Sequence, residues 1–192
     1  MKFIFVLIMA IFLFGCGDSV DSSVVSSGTK NTKEQLDAHN NIDKNSYIDV
    51  ADVFLDTNKI ITNNKPYFLV FAANGCIYCD KLKEIVKDDH EIKSILKNDF
   101  SPYYVNLSYS KMHQVDFLDS EISTAEFGKK YQVVPTPTLV FLNPKGEIMF
   151  VYPGYMPKDK FLATLNYIKD STSKDESVIK NELQNIFKDM GV

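Results

Sequence analysis

The chain has no arginine and no tryptophan among its 192 residues, and only three cysteines, Cys16, Cys76 and Cys79. All 21 basic residues are therefore lysines, so no side chain offers the planar fork that grips a phosphate or carboxylate through two bonds. Together with a formal net charge of −4, this argues against a nucleic-acid partner, whose binding draws on a surplus of positive charge. Three cysteines are too few for a stabilising disulfide framework, and the ring closed by residues 76 and 79 is too small to add much through loop entropy. A structural zinc site would lack two ligands at a suitable spacing, so no metal is expected. No internal repeat is visible, and apart from the N-terminal run no segment is apolar enough to span a membrane.

That N-terminal run follows Met1-Lys2 and extends from Phe3 to Phe14. One positive charge, a short apolar stretch and a small residue before a cysteine are the parts of an export signal. Leu13, Gly15 and Cys16 resemble the lipobox of bacterial lipoproteins, with Phe14 bulkier than is usual there. The resemblance implies cleavage before Cys16 and lipidation of that residue; an uncleaved anchor or an ordinary signal peptide would equally imply export. Residues 1–15 are thus expected to be a signal peptide. Residues 16–41, rich in Ser, Asp, Asn, Thr and Lys, are expected to be a lipid-anchored tether, since so few apolar side chains cannot offset the entropy of ordering. A coil of this kind reaches roughly 5–6 Å times the square root of its length, on the order of tens of ångströms.

Residues 42–170 read as a single domain with a real core, and 171–192 as a further amphipathic helix carrying Val178, Ile179, Leu183, Ile186, Phe187 and Met190. Ile48, Val50, Val53, Phe54 and Ile60 have loosely helical spacing and predict a leading helix within residues 45–64. The continuous apolar run Tyr67-Phe68-Leu69-Val70-Phe71-Ala72 predicts a central buried strand. Helical spacing resumes after Cys76 through Leu82, Ile85 and Val86, breaks at Asp88-Asp89, and continues through Ile92, Ile95 and Leu96. Tyr103 to Leu107 predicts a second strand, followed by a polar connection from Ser108 to about Glu121 and a short helix through Phe127 and Tyr131. This alternation predicts parallel strands with right-handed crossovers. Thr138 to Leu142, the turn Asn143-Pro144-Lys145-Gly146 and Glu147 to Tyr152 predict an antiparallel hairpin, closed by a helix within residues 157–170.

The chemistry is concentrated in Cys76-Ile77-Tyr78-Cys79. A pair spaced by one helical turn closes a disulfide readily, and at a helix start the N–H groups stabilise the first thiolate. With Thr136-Pro137-Thr138 introducing a later strand, the order of elements resembles the thioredoxin fold over roughly residues 48–168: an α/β architecture with a mixed sheet flanked by helices. The stretch Tyr131 to Phe141, followed by Gly154-Tyr155-Met156-Pro157 and Phe161-Leu162, is similar to SoxW-type periplasmic thioredoxins. That resemblance implies Cys76 as nucleophile, Cys79 as resolving thiol, and a cis bond before Pro137 that turns Thr136 outward to pair with substrate. It implies no cofactor beyond the redox-active disulfide, protein substrates carrying disulfides, and a thiol-transporting electron donor in the membrane to which the lipid holds the domain.

The departures are equally informative. Val70 stands where cytoplasmic thioredoxins carry a buried acid, and Gly75 where they carry tryptophan. Glu84 is the candidate replacement proton acceptor, against the plainer reading that it lies on a solvated helix face. His39, His90 and His113 are scattered and are expected at surfaces or turns. Ile77-Tyr78 lacks the histidine of strong oxidants, which favours a reductase over an oxidase or isomerase. The rival readings are a copper chaperone supplemented by Met112-His113 and a binding module with an inert disulfide.

Overall fold

A computed structural model describes residues 41–191. The signal peptide, Cys16 and nearly all of the tether lie outside the described residues.

The central strand β2 (Tyr67–Ala72) is buried along its whole length. It pairs parallel with β3 (Ser101–Asn106), with Tyr67 opposite Ser101 and Ala72 opposite Asn106. On its other side it runs antiparallel to β6 (Thr138–Leu142), which continues into β7 (Ile148–Pro153) through the expected hairpin, giving the order β3-β2-β6-β7. Gly146 takes φ +81° in that turn, a conformation glycine adopts without penalty.

Period-two alternation divides β2 between two cores. Phe68, Val70 and Ala72 face the helices α1 (Ile77–Asp88), α2 (His90–Asp99), α4 (Lys158–Ile168) and α5 (Glu176–Asp189). Phe68 packs against Phe141 and Phe161 at ring separations of 4.9 and 5.4 Å. Tyr67, Leu69 and Phe71 face the opposite layer, which holds α3 (Thr124–Lys130) with Phe127, and Tyr131 at its end. Ser123 and Glu126 form a reciprocal capping box at the start of α3. The break between α1 and α2 falls at Asp89, whose carboxylate accepts from the N–H groups of Glu91 and Ile92. The C-terminal helix buries Ile179 and Leu183.

Two stretches differ from the sequence reading. The expected leading helix is a 3-10 segment, Ile42–Val50, kinked at Tyr47, and the chain then turns into the short strand β1 (Lys59–Ile60). Its geometry answers to tertiary partners: buried Asp43 accepts from the Thr57 hydroxyl at 2.8 Å and pairs with Lys111 at 2.9 Å. The connection read as a polar loop contains β4 (Met112–Val115) and β5 (Ile122–Ser123), which with β1 form a second sheet in the order β1-β4-β5. His113 and Val115 point inward while Met112 and Gln114 are exposed.

His113, expected at a surface or turn, is 1% exposed. A polar ring is tolerated there because both nitrogens are satisfied. Nδ1 lies 2.6 Å from the Thr57 carbonyl, which only accepts, so Nδ1 carries the proton; Nε2 meets the Thr124 hydroxyl at 2.9 Å. Burial lowers its pKa from the ordinary 6.5, with Lys111 acting in the same direction and the Thr57 carbonyl, Asp43 and Asp56 opposing. An unfolded chain therefore takes up this proton before the folded one does. The stability His113 contributes is complete above the unfolded value and is lost as pH falls through 6.5 toward the depressed folded value. The urea midpoint should drop between about pH 7 and 5.5, and His113→Gln should flatten that slope; an identical slope in the variant would assign the effect to other groups.

Candidate active site

The site is assembled where β2 ends. The strand delivers the chain to Ala73-Asn74-Gly75, and Gly75 takes φ +71°, a left-handed turn that a tryptophan would adopt only under strain. This accounts for the glycine at that position. The turn places Cys76 as the N-cap of α1, half-buried, with its sulfur accepting from the Cys79 N–H at 3.1 Å. Cys79 lies one turn inward and is 1% exposed, packed with Leu82 and Val86 on the core face of the helix. The two are joined as a disulfide with Cα atoms 5.2 Å apart. When the bond is opened, the Cys79 N–H against the sulfur and the dipole of the helix start favour the anionic form of Cys76.

The Thr136-Pro137 loop reaches the same end of the sheet. Phe71 is opposite Thr138, so the residues just before β6 stand beside those just after β2. The Thr136–Pro137 peptide bond is cis. Pro137 is buried and its carbonyl accepts from Gly154 N–H at 2.7 Å, whereas Thr136 is half-buried and its backbone N–H and C=O take no hydrogen bond among the described residues. The residue after Gly154, Tyr155, places its ring 5.8 Å from that of Tyr78, and so links this loop to the dipeptide between the cysteines. Between the two cysteines, Ile77 and Tyr78 are 71% and 54% exposed. The sequence reading did not place Tyr155 against Tyr78; only the close of β7 brings them together.

Val70 is fully buried beneath the site, so no acid lies in the core there. Glu84 is exposed on α1, in an open cleft with Lys81, Asp88 and Lys158. It occupies the solvated face, while Cys79 is directed to the core. His113 has both nitrogens engaged within the second layer, and Met112 points outward. Among the described residues no group of three or more His, Cys, Asp or Glu side chains is arranged to hold a metal ion, and no helix is long and apolar enough to cross a membrane.

A cysteine pair capping the helix that follows a central strand, beside a cis-proline loop leading to an antiparallel hairpin, is the thioredoxin architecture. A family model described as a thioredoxin-like domain matches residues 53–169. Among solved structures, a thioredoxin-fold protein from Helicobacter pylori is 39% identical with a TM-score of 0.70, over 76% of this chain and 96% of that one. A thioredoxin from Thermus thermophilus aligns at 23% identity and TM-score 0.44, over 57% of this chain and 77% of its own. An exposed lipoprotein thioredoxin from Streptococcus pneumoniae aligns at 24% and 0.41, over 54% and 85%. No curated protein matches. This chain belongs to the thioredoxin-like family.

Proposed function

We propose that this protein is an exported, lipid-anchored thiol-disulfide oxidoreductase that reduces disulfides in other proteins. The observation that carries the reading is the placement of a half-buried Cys76 sulfur at the start of α1, bonded to a buried Cys79 and flanked by the unpaired backbone of Thr136. Export and lipidation at Cys16 rest on the N-terminal sequence pattern.

In the reducing direction the Cys76 thiolate attacks one sulfur of a substrate disulfide. An S–S bond forms between Cys76 and the substrate, and the other substrate sulfur leaves as a thiolate and takes up a proton. Cys79, after losing its proton, attacks the Cys76 sulfur and expels the second substrate thiolate. The substrate gains two electrons and the protein ends as the Cys76–Cys79 disulfide, the state seen here. An extended substrate pairing with the N–H and C=O of Thr136 would hold its cysteine over Cys76. Turnover then requires a dithiol donor, and a thiol-transporting membrane protein fits a domain tethered to the lipid surface. The similarity to SoxW-type thioredoxins and the absence of histidine from Ile77-Tyr78 both support the reducing direction.

The test is the reduction potential of the Cys76–Cys79 couple, measured in the full chain against glutathione or dithiothreitol. A value near −270 mV, about that of thioredoxin, is expected for a reductase; one of roughly −120 to −180 mV would assign it as an oxidase or isomerase. A pair that never exchanges would return the reading to an inert disulfide.

A further inference from the structure

Gly75 raises a question of positioning. It has no side chain to pack, and nothing lies within 4 Å of where its Cβ would be. The segment that presents Cys76 is instead held from β3. Ala72 is opposite Asn106, and the Ala72 carbonyl accepts from Leu107 N–H at 2.7 Å, which brings the two strand exits together. Asn106, 3% exposed, donates from its side-chain amide to the Asn74 side-chain oxygen at 2.9 Å. Its own oxygen accepts from Ser108 N–H at 3.0 Å, and the Ser108 hydroxyl accepts from Asn74 N–H at 2.9 Å. The ring of bonds fixes every orientation: a backbone N–H can only donate, so Asn106 turns its oxygen to Ser108 and its NH2 to Asn74. Asn74 is thus gripped through both backbone and side chain, two residues before Cys76.

We propose that Asn106, with Ser108, is a positioning residue for Cys76: through Asn74 it holds the Gly75 turn so that the sulfur stays against the N–H groups opening α1. The proposal rests on the thiol-exchange reading of the site, and it deepens that reading by naming what replaces a packed side chain before the first cysteine. A buried amide at a strand exit satisfies its own hydrogen bonds in many ways; here its bonds converge on the one loop whose geometry sets a thiolate. Without the clamp the turn gains conformations in which the sulfur loses its donors, so the anion is less stabilised and the thiol pKa rises. The charged groups beside the loop, Asp80 and Lys83, pair with each other at 3.0 Å, and Lys83 also donates to the Ser46 carbonyl at 2.8 Å. Neighbouring Tyr104 is held neutral by burial, which pushes its pKa upward. None of these is altered by the substitutions below.

The experiment is the pH dependence of Cys76 alkylation in the reduced full-length chain, resolved by peptide mass spectrometry so that Cys16 and Cys79 do not contribute. Asn106→Ala and Asn74→Ala should each slow Cys76 alkylation about three- to ten-fold at pH 6, as expected when thiolate is lost by half to one pH unit. Ser108→Ala, at an exposed position, should act in the same direction without endangering the fold, and Ser108→Thr, which keeps the hydroxyl acceptor, should behave as the parent. Variants that melt earlier while their Cys76 profile coincides with a low-pKa parent would overturn the clamp and leave the functional reading intact. A parent Cys76 that titrates as an ordinary thiol would overturn both.

Discussion

Cys76→Ser is expected to abolish disulfide reduction outright, and Cys79→Ser to convert the protein into a trap that accumulates mixed disulfides with its substrates. The asymmetry follows from burial. The Cys76 sulfur is half-buried at the helix N-cap, where a substrate disulfide can approach it, whereas Cys79 is 1% exposed and can reach only the sulfur of Cys76. Serine is too weak an acid to furnish an anionic nucleophile at neutral pH, so the first variant loses its attack on substrate altogether. The second retains attack but loses the intramolecular step that releases substrate, so the intermediate persists. Non-reducing electrophoresis of each variant mixed with disulfide-bearing proteins separates the outcomes. Equal trapping by both would undo the assignment of roles.

The second large effect concerns the fold. Lys111 and Asp43 meet at 2.9 Å with side chains 8% and 3% exposed, and join the residue before β4 to the N-terminal 3-10 segment. Lys111→Met keeps the aliphatic stem but leaves the Asp43 carboxylate buried against only the Thr57 hydroxyl. Breaking one side of such a pair costs about 3–5 kcal/mol, which for a domain of this size is a fall of roughly 6–20 °C in Tm. Adding Asp43→Leu should restore much of the loss, because the desolvation penalty disappears along with the charge. By contrast Lys93–Asp52, at 2.8 Å but with side chains 29% and 50% exposed, is screened by water, and Lys93→Ala should change stability little. Thermal melts of the three variants test the contrast; a Lys111→Met variant as stable as Lys93→Ala would show that the buried pair carries no such weight.

The membrane-proximal setting proposed for this domain bears on how it would be used. Under the proposed reading, substrates would approach Cys76 where Ile77 and Tyr78 are exposed.

Much of the fold was legible because its strongest signals are local. Six consecutive apolar residues from Tyr67 to Ala72 can be satisfied only by a strand covered on both faces, and that is β2. Asn143 to Gly146 carries its own turn chemistry, and Asp88-Asp89 its own break, since the Asp89 carboxylate caps the next helix. The second sheet was not legible for the opposite reason. Strands of two to four residues carry too little periodicity to be seen, and in Met112-His113-Gln114-Val115 the inward positions include a histidine, which reads as polar until Thr57 and Thr124 are found around it. The leading segment is helical as its apolar spacing predicts, but it is a 3-10 helix that ends at Val50, because its path answers to Asp43 and Lys111, 68 residues apart.

The sequence alone determined the family architecture and the reactive pair, because spacing along one helical turn is a property of the chain itself. Only the tertiary structure decided what surrounds that pair: Tyr155 brought against Tyr78, and Asn106 and Ser108 closing on Asn74 from another strand. These contacts join residues more than thirty positions apart, and no local pattern encodes which distant side chain will complete a hydrogen bond. That choice is made when β2 and β3 come into register and bury the ends of both strands together.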